Sequence, residues 1–120
     1  MEAAEIRKLT ALEDRHWWYR ERRHLMAGSV RDLRPGDALD IGAADGGNTR
    51  VLRGLGWRAA ALEYGDEGAG VCAERGIPVL RGDAARLPLA PACFDLVTAF
   101  DVLEHIEDDA AAAAGVFRVL

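Results

Sequence analysis

The stretch between residues 38 and 49, where an apolar run meets a glycine-bearing turn, constrains the fold more than any other part of the sequence. The run from Ala38 to Ile41 predicts a strand, and the segment from Asn48 to Leu55 predicts a helix that Gly56 ends. Glycines in the turn let the backbone approach a ligand, and the free N–H groups at a helix start can face polar groups of that ligand. Because many strand–loop–helix units contain glycines, this stretch alone fits a structural turn equally well.

Three further strand-like runs each end in an acid, as the first run does. Glu63 follows the second run and stands 17 residues after Gly46 (63 − 46), near the spacing of about 20 that brings an acid to a ribose in a nucleoside-binding βαβ unit. Asp83 follows the third run. Asp101 follows the fourth, an apolar run from Phe94 to Phe100 that we expect to be buried on both faces. Parallel strands would place these acids along the sheet edge where α/β proteins bind ligands.

Five ordered motifs together resemble those of the class I S-adenosylmethionine-dependent methyltransferases, in the small-molecule branch that includes the ubiquinone-biosynthesis O-methyltransferases. The motifs are Asp40-Ile41-Gly42-Ala43-Ala44-Asp45-Gly46, Glu63-Tyr64, Gly82-Asp83-Ala84, Phe94-Asp95-Leu96-Val97 and Asp101-Val102-Leu103-Glu104-His105. The resemblance extends from about Trp17 to the end of the sequence. It implies an α/β fold, a Rossmann-like three-layer α/β/α sandwich whose partial parallel sheet has the strand order 3-2-1-4, with an added N-terminal helix.

The resemblance also divides the chain into two parts. It implies that residues 1–34 are an N-terminal helical segment covering the cofactor site and that residues 35–120 are the S-adenosylmethionine-binding Rossmann-like domain. Tyr19 and Arg20 belong to a Trp-Trp-aromatic-Arg segment that family members often carry, and the resemblance places them over the cofactor. The alternative is a helix that packs its aromatic residues on the sheet, and the helical spacing of apolar residues after Trp18 favours this alternative for Trp18 itself.

The resemblance gives the glycine-bearing loop, and the acid before it, a role at the methionine end of the cofactor. The cofactor-binding residues expected in this stretch are Asp40, Gly42, Ala43, Ala44 and Gly46. Asp40 is expected to act through the loop or through a water molecule. Ala44 departs from the family pattern, in which its position is usually glycine. Its methyl group is expected to be harmless if φ is negative and otherwise to crowd the cofactor.

The acids after the second and third strands are expected at the adenosine end of the cofactor. By resemblance, Glu63 accepts hydrogen bonds from both ribose hydroxyls. Asp83 accepts from the adenine amino group, and the Ala84 N–H donates to the ring. Tyr64 either packs on the adenine or covers the end of the sheet. The alternative for Glu63 is a solvent-exposed acid at a strand end, and the alternative for Asp83 is an acid in a turn.

Asp101, Glu104 and His105 follow the fourth strand, and Asp101 is also expected to contact the cofactor. Offsets of three and four residues place the three side chains on one face if a helical turn begins there. Two carboxylates and an imidazole can bind a divalent cation such as Mg2+, as in some quinone O-methyltransferases that resemble this motif. Alternatively, His105 is a general base that removes the proton of an acceptor hydroxyl, or Glu104 and His105 make hydrogen bonds at a helix end.

Composition narrows the range of partners. Half of the 120 residues are hydrophobic and 29% are charged, which is typical of one globular domain. A net charge of −5 argues against binding to nucleic acid or to an anionic membrane surface. The sequence has no run of about 18 apolar residues, so no membrane span is predicted. We therefore expect a cytoplasmic protein whose partner is a small-molecule methyl acceptor.

The expected function is transfer of a methyl group from S-adenosylmethionine to a small-molecule acceptor, on oxygen. The alternatives are a cofactor-binding fragment without catalysis and an NAD-binding oxidoreductase domain, which gives no reason for the Gly82-Asp83-Ala84 motif or for the residues from Asp101 to His105. The family fold continues past its fourth strand with a fifth strand and a final hairpin, which this sequence lacks. We therefore expect self-association through the edge of the fourth strand or through the last helix, residues 110–120.

Overall fold

The computed structural model describes residues 2–13 and 15–120 of the chain. The helices and strands in chain order are α1 (Ala3–Glu13), α2 (Trp17–Val30), β1 (Asp37–Ile41), α3 (Gly47–Gly54), β2 (Arg58–Glu63), α4 (Asp66–Glu74), β3 (Val79–Arg81), β4 (Leu96–Ala99) and α5 (Asp109–Val119). A 3-10 turn, Leu103–His105, lies between β4 and α5. The N-terminal segment is helical, as expected, and holds the two helices α1 and α2. The second helix starts at a cap formed by His16, whose Nδ1 accepts from the N–H of Trp18 over 3.3 Å.

The described strands form a parallel sheet with the order β3-β2-β1-β4, as the sequence predicted. β1 is an inner strand, because its Leu39 lies opposite Ala60 of β2 and opposite Val97 of β4. On the far side of β2, Leu62 lies opposite Leu80 of β3. Since all of these pairings are parallel, the carboxyl ends of the strands meet along one edge of the sheet, and the acids that follow the strands meet there too.

Helices cover both faces of the sheet, which gives the predicted three-layer sandwich. The core on the face of α2 and α3 consists of Met26, Val30, Ala38, Leu52, Trp57 and Ala59. The core on the face of α5 consists of Leu39, Ile41, Leu62, Leu87 and Val119. Neighbouring residues of β1 enter different cores because successive side chains of a strand point to opposite faces. Within residues 2–13 and 15–120, no helix is long and apolar enough to cross a membrane.

The fourth strand is shorter and less buried than the sequence predicted. β4 covers Leu96–Ala99 instead of the run from Phe94 to Phe100, and Thr98 is its one buried residue. Leu96 packs against the core on the face of α2 and α3, and Val97 and Ala99 pack against the core on the face of α5, so both faces are covered but only partly buried. In the described part of the chain β4 pairs only with β1, so its second edge is open, as the expected order 3-2-1-4 implied.

Candidate functional site

The loop between β1 and α3 lies at the carboxyl edge of the sheet and has a left-handed backbone at alternate residues. The φ angles are +65° at Gly42, +52° at Ala44 and +82° at Gly46. Gly42 has no room for a side chain, because a Cβ there would lie 2.6 Å from Cγ2 of Val102. Most N–H groups of the loop donate within the protein: those of Gly42 and Ala43 to the carbonyl oxygen of Leu62, and that of Gly46 to the carbonyl oxygen of Ala43.

Ala44 carries backbone strain that glycine would not. The methyl group of Ala44 was expected to be harmless only if φ were negative, and φ is +52°. A residue with a side chain in this region costs on the order of 1–3 kcal/mol. The Ala44 N–H donates a hydrogen bond of 2.6 Å to Oε1 of Glu63, and this charge-assisted bond helps to hold the strained residue in place.

Glu63 ends β2 beside this loop and is 8% exposed. Its carboxylate also rests against Gly68 near the start of α4, where a Cβ would clash with it. Burial raises the pKa of Glu63, and the hydrogen bond from Ala44 opposes that rise. Glu63 is therefore not the solvent-exposed acid considered as its alternative, and it ties the loop to β2.

Asp40 lies below the loop and is 1% exposed. Its Oδ2 accepts from the hydroxyl of Thr49 over 2.7 Å, and its Oδ1 accepts from the hydroxyl of Thr98 over 2.8 Å. Burial raises the pKa of Asp40 to about 6, although both threonines lower it. Because Thr49 belongs to α3 and Thr98 to β4, the carboxylate joins three elements, which fits the expectation that Asp40 acts through the loop.

A cavity of about 290 Å³ opens above the loop. The loop and the start of α3 supply Gly42, Ala43, Ala44, Asp45, Gly47 and Asn48 to its lining. The N-terminal helices supply Ile6, Leu9, Glu13, Trp18, Tyr19, Arg22 and Arg23. Phe100 and Asp101, which follow β4, complete the lining. The cavity thus lies between the N-terminal helices and the carboxyl edge of the sheet.

The face of α2 that lines the cavity carries Tyr19, Arg22 and Arg23. Residues three and four positions apart share a helix face, so Tyr19 lies on the same side as the two arginines. Arg20 lies on another side, where it borders a separate surface depression together with Trp17. The structure therefore brings Tyr19 to the cavity but does not bring Arg20 there.

Arg22 connects α2 to the end of β4. Its guanidinium group forms an ion pair with Asp101 and lies 3.9 Å from the centre of the Trp18 ring, in a cation–π contact. Asp101 has a φ of +53°, which is uncommon for a residue with a side chain. The ion pair and the stacked ring close one side of the cavity.

Glu13, the last residue of α1, reaches into the cavity wall and is 4% exposed. Its Oε1 lies 3.4 Å from Nη1 of Arg23, 3.5 Å from Nη1 of Arg75 and 3.7 Å from Nη2 of Arg50. Nη2 of Arg23 also donates to the Glu13 carbonyl oxygen over 2.7 Å. The carboxylate rests on Gly47 at the start of α3, where a Cβ would clash with it. Glu13 thereby joins α1 to α2, to α3 and to the chain after α4.

The residues expected at the adenosine end lie outside this cavity, after β2 and β3. Tyr64 is 76% exposed. One oxygen of Asp83 accepts from the N–H of Ala85 over 2.8 Å, which is the turn role named as its alternative. Ala84 packs against the core on the α5 face.

The structure does not gather the predicted metal ligands. Asp101 precedes the 3-10 turn and pairs with Arg22, whereas Glu104 and His105 are exposed within that turn. Among the residues that the structure describes, no group of three or more His, Cys, Asp or Glu side chains could hold a metal ion. The predicted Mg2+ site is not supported, because a tight turn follows β4 where the offsets required an α-helical turn.

Sequence reasoning missed most of the charged residues around the cavity: Glu13, Arg22, Arg23, Asp45 and Arg75. The two arginines of α2 had a signal, since they stand three and four residues after Tyr19. Asp45 belongs to the recognised loop, and its Oδ1 accepts from the N–H of Gly47 over 3.1 Å. Glu13 had no such signal in the sequence, because its burial depends on where α1 packs against the rest of the domain.

The raised pKa of Asp40 predicts how the stability of wild type and of Asp40→Asn will diverge with pH. The carboxyl group ionises near 3.8 when unfolded and near 6 when folded. Between these values the folded state binds more protons, so this group's contribution to the free energy of unfolding falls as pH rises. The amide of the variant does not titrate. Wild type should therefore lose up to about 3 kcal/mol relative to the variant between about pH 4 and pH 7.

Urea unfolding of both proteins across that pH range measures the difference. Two profiles that run parallel would contradict the assignment of a raised pKa to Asp40.

Comparison with known proteins identifies the family. A family model described as a methyltransferase domain matches residues 39–120. A probable S-adenosylmethionine-dependent methyltransferase of Mycolicibacterium smegmatis is 26% identical over 116 residues, which are 95% of this chain and 45% of the relative. A demethylmenaquinone methyltransferase of Mycolicibacterium vanbaalenii is 32% identical over 108 residues, which are 89% of this chain and 45% of the relative. The chain thus spans less than half the length of these curated relatives.

Solved structures share the fold. A protein of Methanococcus maripaludis, provisionally described as an S-adenosyl-L-methionine-dependent methyltransferase, gives a TM-score of 0.86 at 16% identity, over 99% of this chain and 59% of that one. The YcgJ protein of Bacillus subtilis gives 0.75 at 24% identity, over 84% of this chain and 46% of that one. The family model matches more than half of the chain, and the resemblance noted in the sequence is confirmed: the chain belongs to the methyltransferase domain family.

Proposed function

We propose that this chain binds S-adenosylmethionine at the carboxyl edge of its sheet and transfers the methyl group to an oxygen atom of a small-molecule acceptor. The observation that carries the proposal is the loop of residues 42–46, whose left-handed backbone borders a cavity in a chain of the methyltransferase domain family. The description of the M. smegmatis relative as S-adenosylmethionine-dependent supports the choice of cofactor.

The charges around the cavity fit this cofactor, which carries a sulfonium, an ammonium and a carboxylate group. The acids Glu13, Asp45 and Asp101 line the cavity together with Arg22 and Arg23. The buried carboxylates of Asp40 and Glu63 lie below and beside the loop. Acids in a partly enclosed site attract a cation more strongly than they would in bulk water. Gly42 adds a stretch of backbone without a side chain, which a ligand can approach closely.

In this proposal the methionine end of the cofactor lies in the cavity, over the loop and under Tyr19. The ribose lies towards Glu63, whose carboxylate can accept from its hydroxyl groups. The adenine lies towards Asp83 and the N–H of Ala84, with the exposed ring of Tyr64 available for packing on the base. Each of these contacts fixes the direction in which the methyl group points.

The bound cofactor supplies a methyl group that is already activated, so the protein mainly contributes proximity and orientation. Methylation of a hydroxyl group also releases a proton, and we assign its removal to His105. The support for this assignment is position: His105 is an exposed imidazole in the turn that follows Asp101, a residue of the cavity wall. The name of the demethylmenaquinone methyltransferase relative supports a small-molecule acceptor.

Replacing His105 with asparagine tests the base. The variant should lower turnover with a hydroxylated acceptor by about 100-fold or more and leave binding of S-adenosylhomocysteine unchanged. His24→Asn, on an exposed residue of α2 outside the cavity lining, is the matched control. Equal turnover in the two variants would remove His105 from the mechanism, and a product methylated on carbon would exclude the oxygen acceptor.

Calorimetry with S-adenosylhomocysteine and with NAD tests the cofactor. The first ligand should bind and the second should not, because the expected adenosine contacts do not provide for a second nucleotide. Glu63→Gln keeps the oxygen that accepts from Ala44 but removes the charge expected at the ribose. This variant should weaken binding by about 1.5–3 kcal/mol, the range for hydrogen bonds to charged groups.

Glu107→Gln changes an exposed acid away from the cavity and serves as the control. Binding of NAD alone, or equal binding of both ligands, would overturn the proposal.

A further proposal concerns a second copy of this chain. The outer edge of β4 is unpaired among the described strands, and its sequence from Leu96 to Ala99 has no proline or charged residue to block pairing. Phe117 on α5 is 84% exposed, and Leu120, which follows the helix, is 50% exposed. These features favour self-association of the 120-residue chain through the β4 edge or the α5 face.

Size-exclusion chromatography with light scattering should show dimers or larger species that Phe117→Glu weakens. Leu33→Glu, on an exposed apolar residue outside the β4 edge and α5, is the control. A clean 13.0 kDa monomer at all concentrations would refute self-association.

A further inference from the structure

The charge of the chain is unevenly distributed, because residues 15–34 form a basic segment in an acidic protein. This segment, which contains α2, holds six arginines and two acids, whereas the whole chain has 15 basic and 20 acidic residues. The net charge of −5 therefore argues against an anionic membrane surface only for the chain as a whole. A local basic surface can still bind such a membrane.

Most arginines of the basic segment are not used by the fold. Arg22 and Arg23 line the cavity and pair with acids. By contrast, Arg58 on the surface of the sheet pairs with Asp37. The remaining four arginines of the segment are exposed and form no ion pair with another residue that the structure describes: Arg15, Arg20, Arg31 and Arg34. Their positive charge is available to a partner outside the chain.

The side of α2 that faces away from the domain combines this charge with large apolar side chains. Trp17 is 71% exposed and Leu25 is 62% exposed. Arg31 lies on the same side, since a Cβ at Gly28 would be 3.8 Å from its Nη2. A surface depression on this side is lined by Trp17, Arg20, Glu21 and His24. The outer face of α2 therefore consists of Trp17, Arg20, Glu21, His24, Leu25 and Arg31.

This combination of side chains favours a lipid surface over other anionic partners. A helix that lies on a membrane buries tryptophan and leucine at the level of the head groups, while its arginines meet the lipid phosphates. Nucleic acid offers phosphates too, but its bases stack on aromatic rings and give little to an aliphatic side chain such as Leu25. Glu21 is the only acid of α2, so the outer face keeps an excess of positive charge.

We propose that the outer face of α2 binds a membrane surface that contains anionic lipids. The exposed arginines pair with head-group phosphates, and Trp17 and Leu25 enter the boundary between the head groups and the acyl chains. The opposite side of α2 lines the cavity. Membrane binding would therefore hold the cavity one helix diameter, about 10 Å, from the lipid.

Cosedimentation with lipid vesicles tests the proposal. The wild-type chain should bind vesicles of equal parts phosphatidylglycerol and phosphatidylcholine at least about tenfold more tightly than vesicles of phosphatidylcholine alone, because only the mixed vesicles supply negative charge. High salt should release it from the mixed vesicles. Equal binding to both kinds of vesicle, or binding to neither, would overturn the proposal. Binding of polyuridylate RNA in place of the vesicles would assign the face to nucleic acid and would overturn it too.

Two variants with matched controls locate the contact. Arg20→Gln should weaken binding to the mixed vesicles about threefold to tenfold, whereas Arg86→Gln, on an exposed arginine after β3, should change it by less than about twofold. Trp17→Ser should also weaken binding, whereas Tyr64→Ser, on an aromatic residue exposed to a similar degree, should not. A loss in either variant that its control matches would place the contact elsewhere and contradict the proposal.

A fluorescence measurement gives a second readout, and circular dichroism checks that the variants fold. Brominated lipid in the mixed vesicles should quench the tryptophan emission of the wild-type chain, since Trp17 would enter the bilayer boundary. Trp17→Phe should remove most of this quenching, because Trp57 is buried and Trp18 packs against Arg22. Quenching that persists unchanged in Trp17→Phe would show that another surface of the chain meets the lipid, which overturns the proposal.

Discussion

The arrangement of the site depends on one buried carboxylate, that of Asp40. Its two oxygens accept hydrogen bonds from Thr49 and Thr98, so β1, α3 and β4 meet at a fixed point below the loop. Glu63 fixes the loop from the side through the N–H of Ala44. With these anchors the loop can hold Ala44 in its strained left-handed conformation, and the floor of the cavity has a defined shape.

The N-terminal helices, which line the cavity opposite that floor, are held in a different way. α1 buries only Ile6 and Glu13 among its residues, so its attachment relies on charged groups more than on apolar packing. Arg7 pairs with the partly buried Glu67 of α4, and Glu13 faces Arg75 after that helix. Ion pairs at the surface are weak and are screened by salt. Glu13 both attaches α1 to the domain and contributes charge to the cavity wall.

The sequence predicted the parts of this structure that depend on local pattern. Apolar runs with terminal acids indicated the strands, the family resemblance implied their order in the sheet, and the loop glycines marked the site. Patterns failed where the outcome depends on neighbours. The run before Asp101 was expected to form a strand from Phe94 to Phe100, but β4 covers only Leu96–Ala99. The offsets of Glu104 and His105 assumed an α-helical turn that did not form. Glu13 resembles the exposed acids of its helix until α1 is placed against the domain.

The central claim, that the loop of residues 42–46 receives the methionine end of a nucleoside cofactor, is tested most directly by a nuclear magnetic resonance titration. The 15N-labelled chain would be titrated with S-adenosylhomocysteine while its amide signals are followed. The account predicts the largest shifts in this loop and at the start of α3, with further shifts at Glu63 and Tyr64 and small ones in β3. Shifts absent from the loop, or confined to α5, would contradict it.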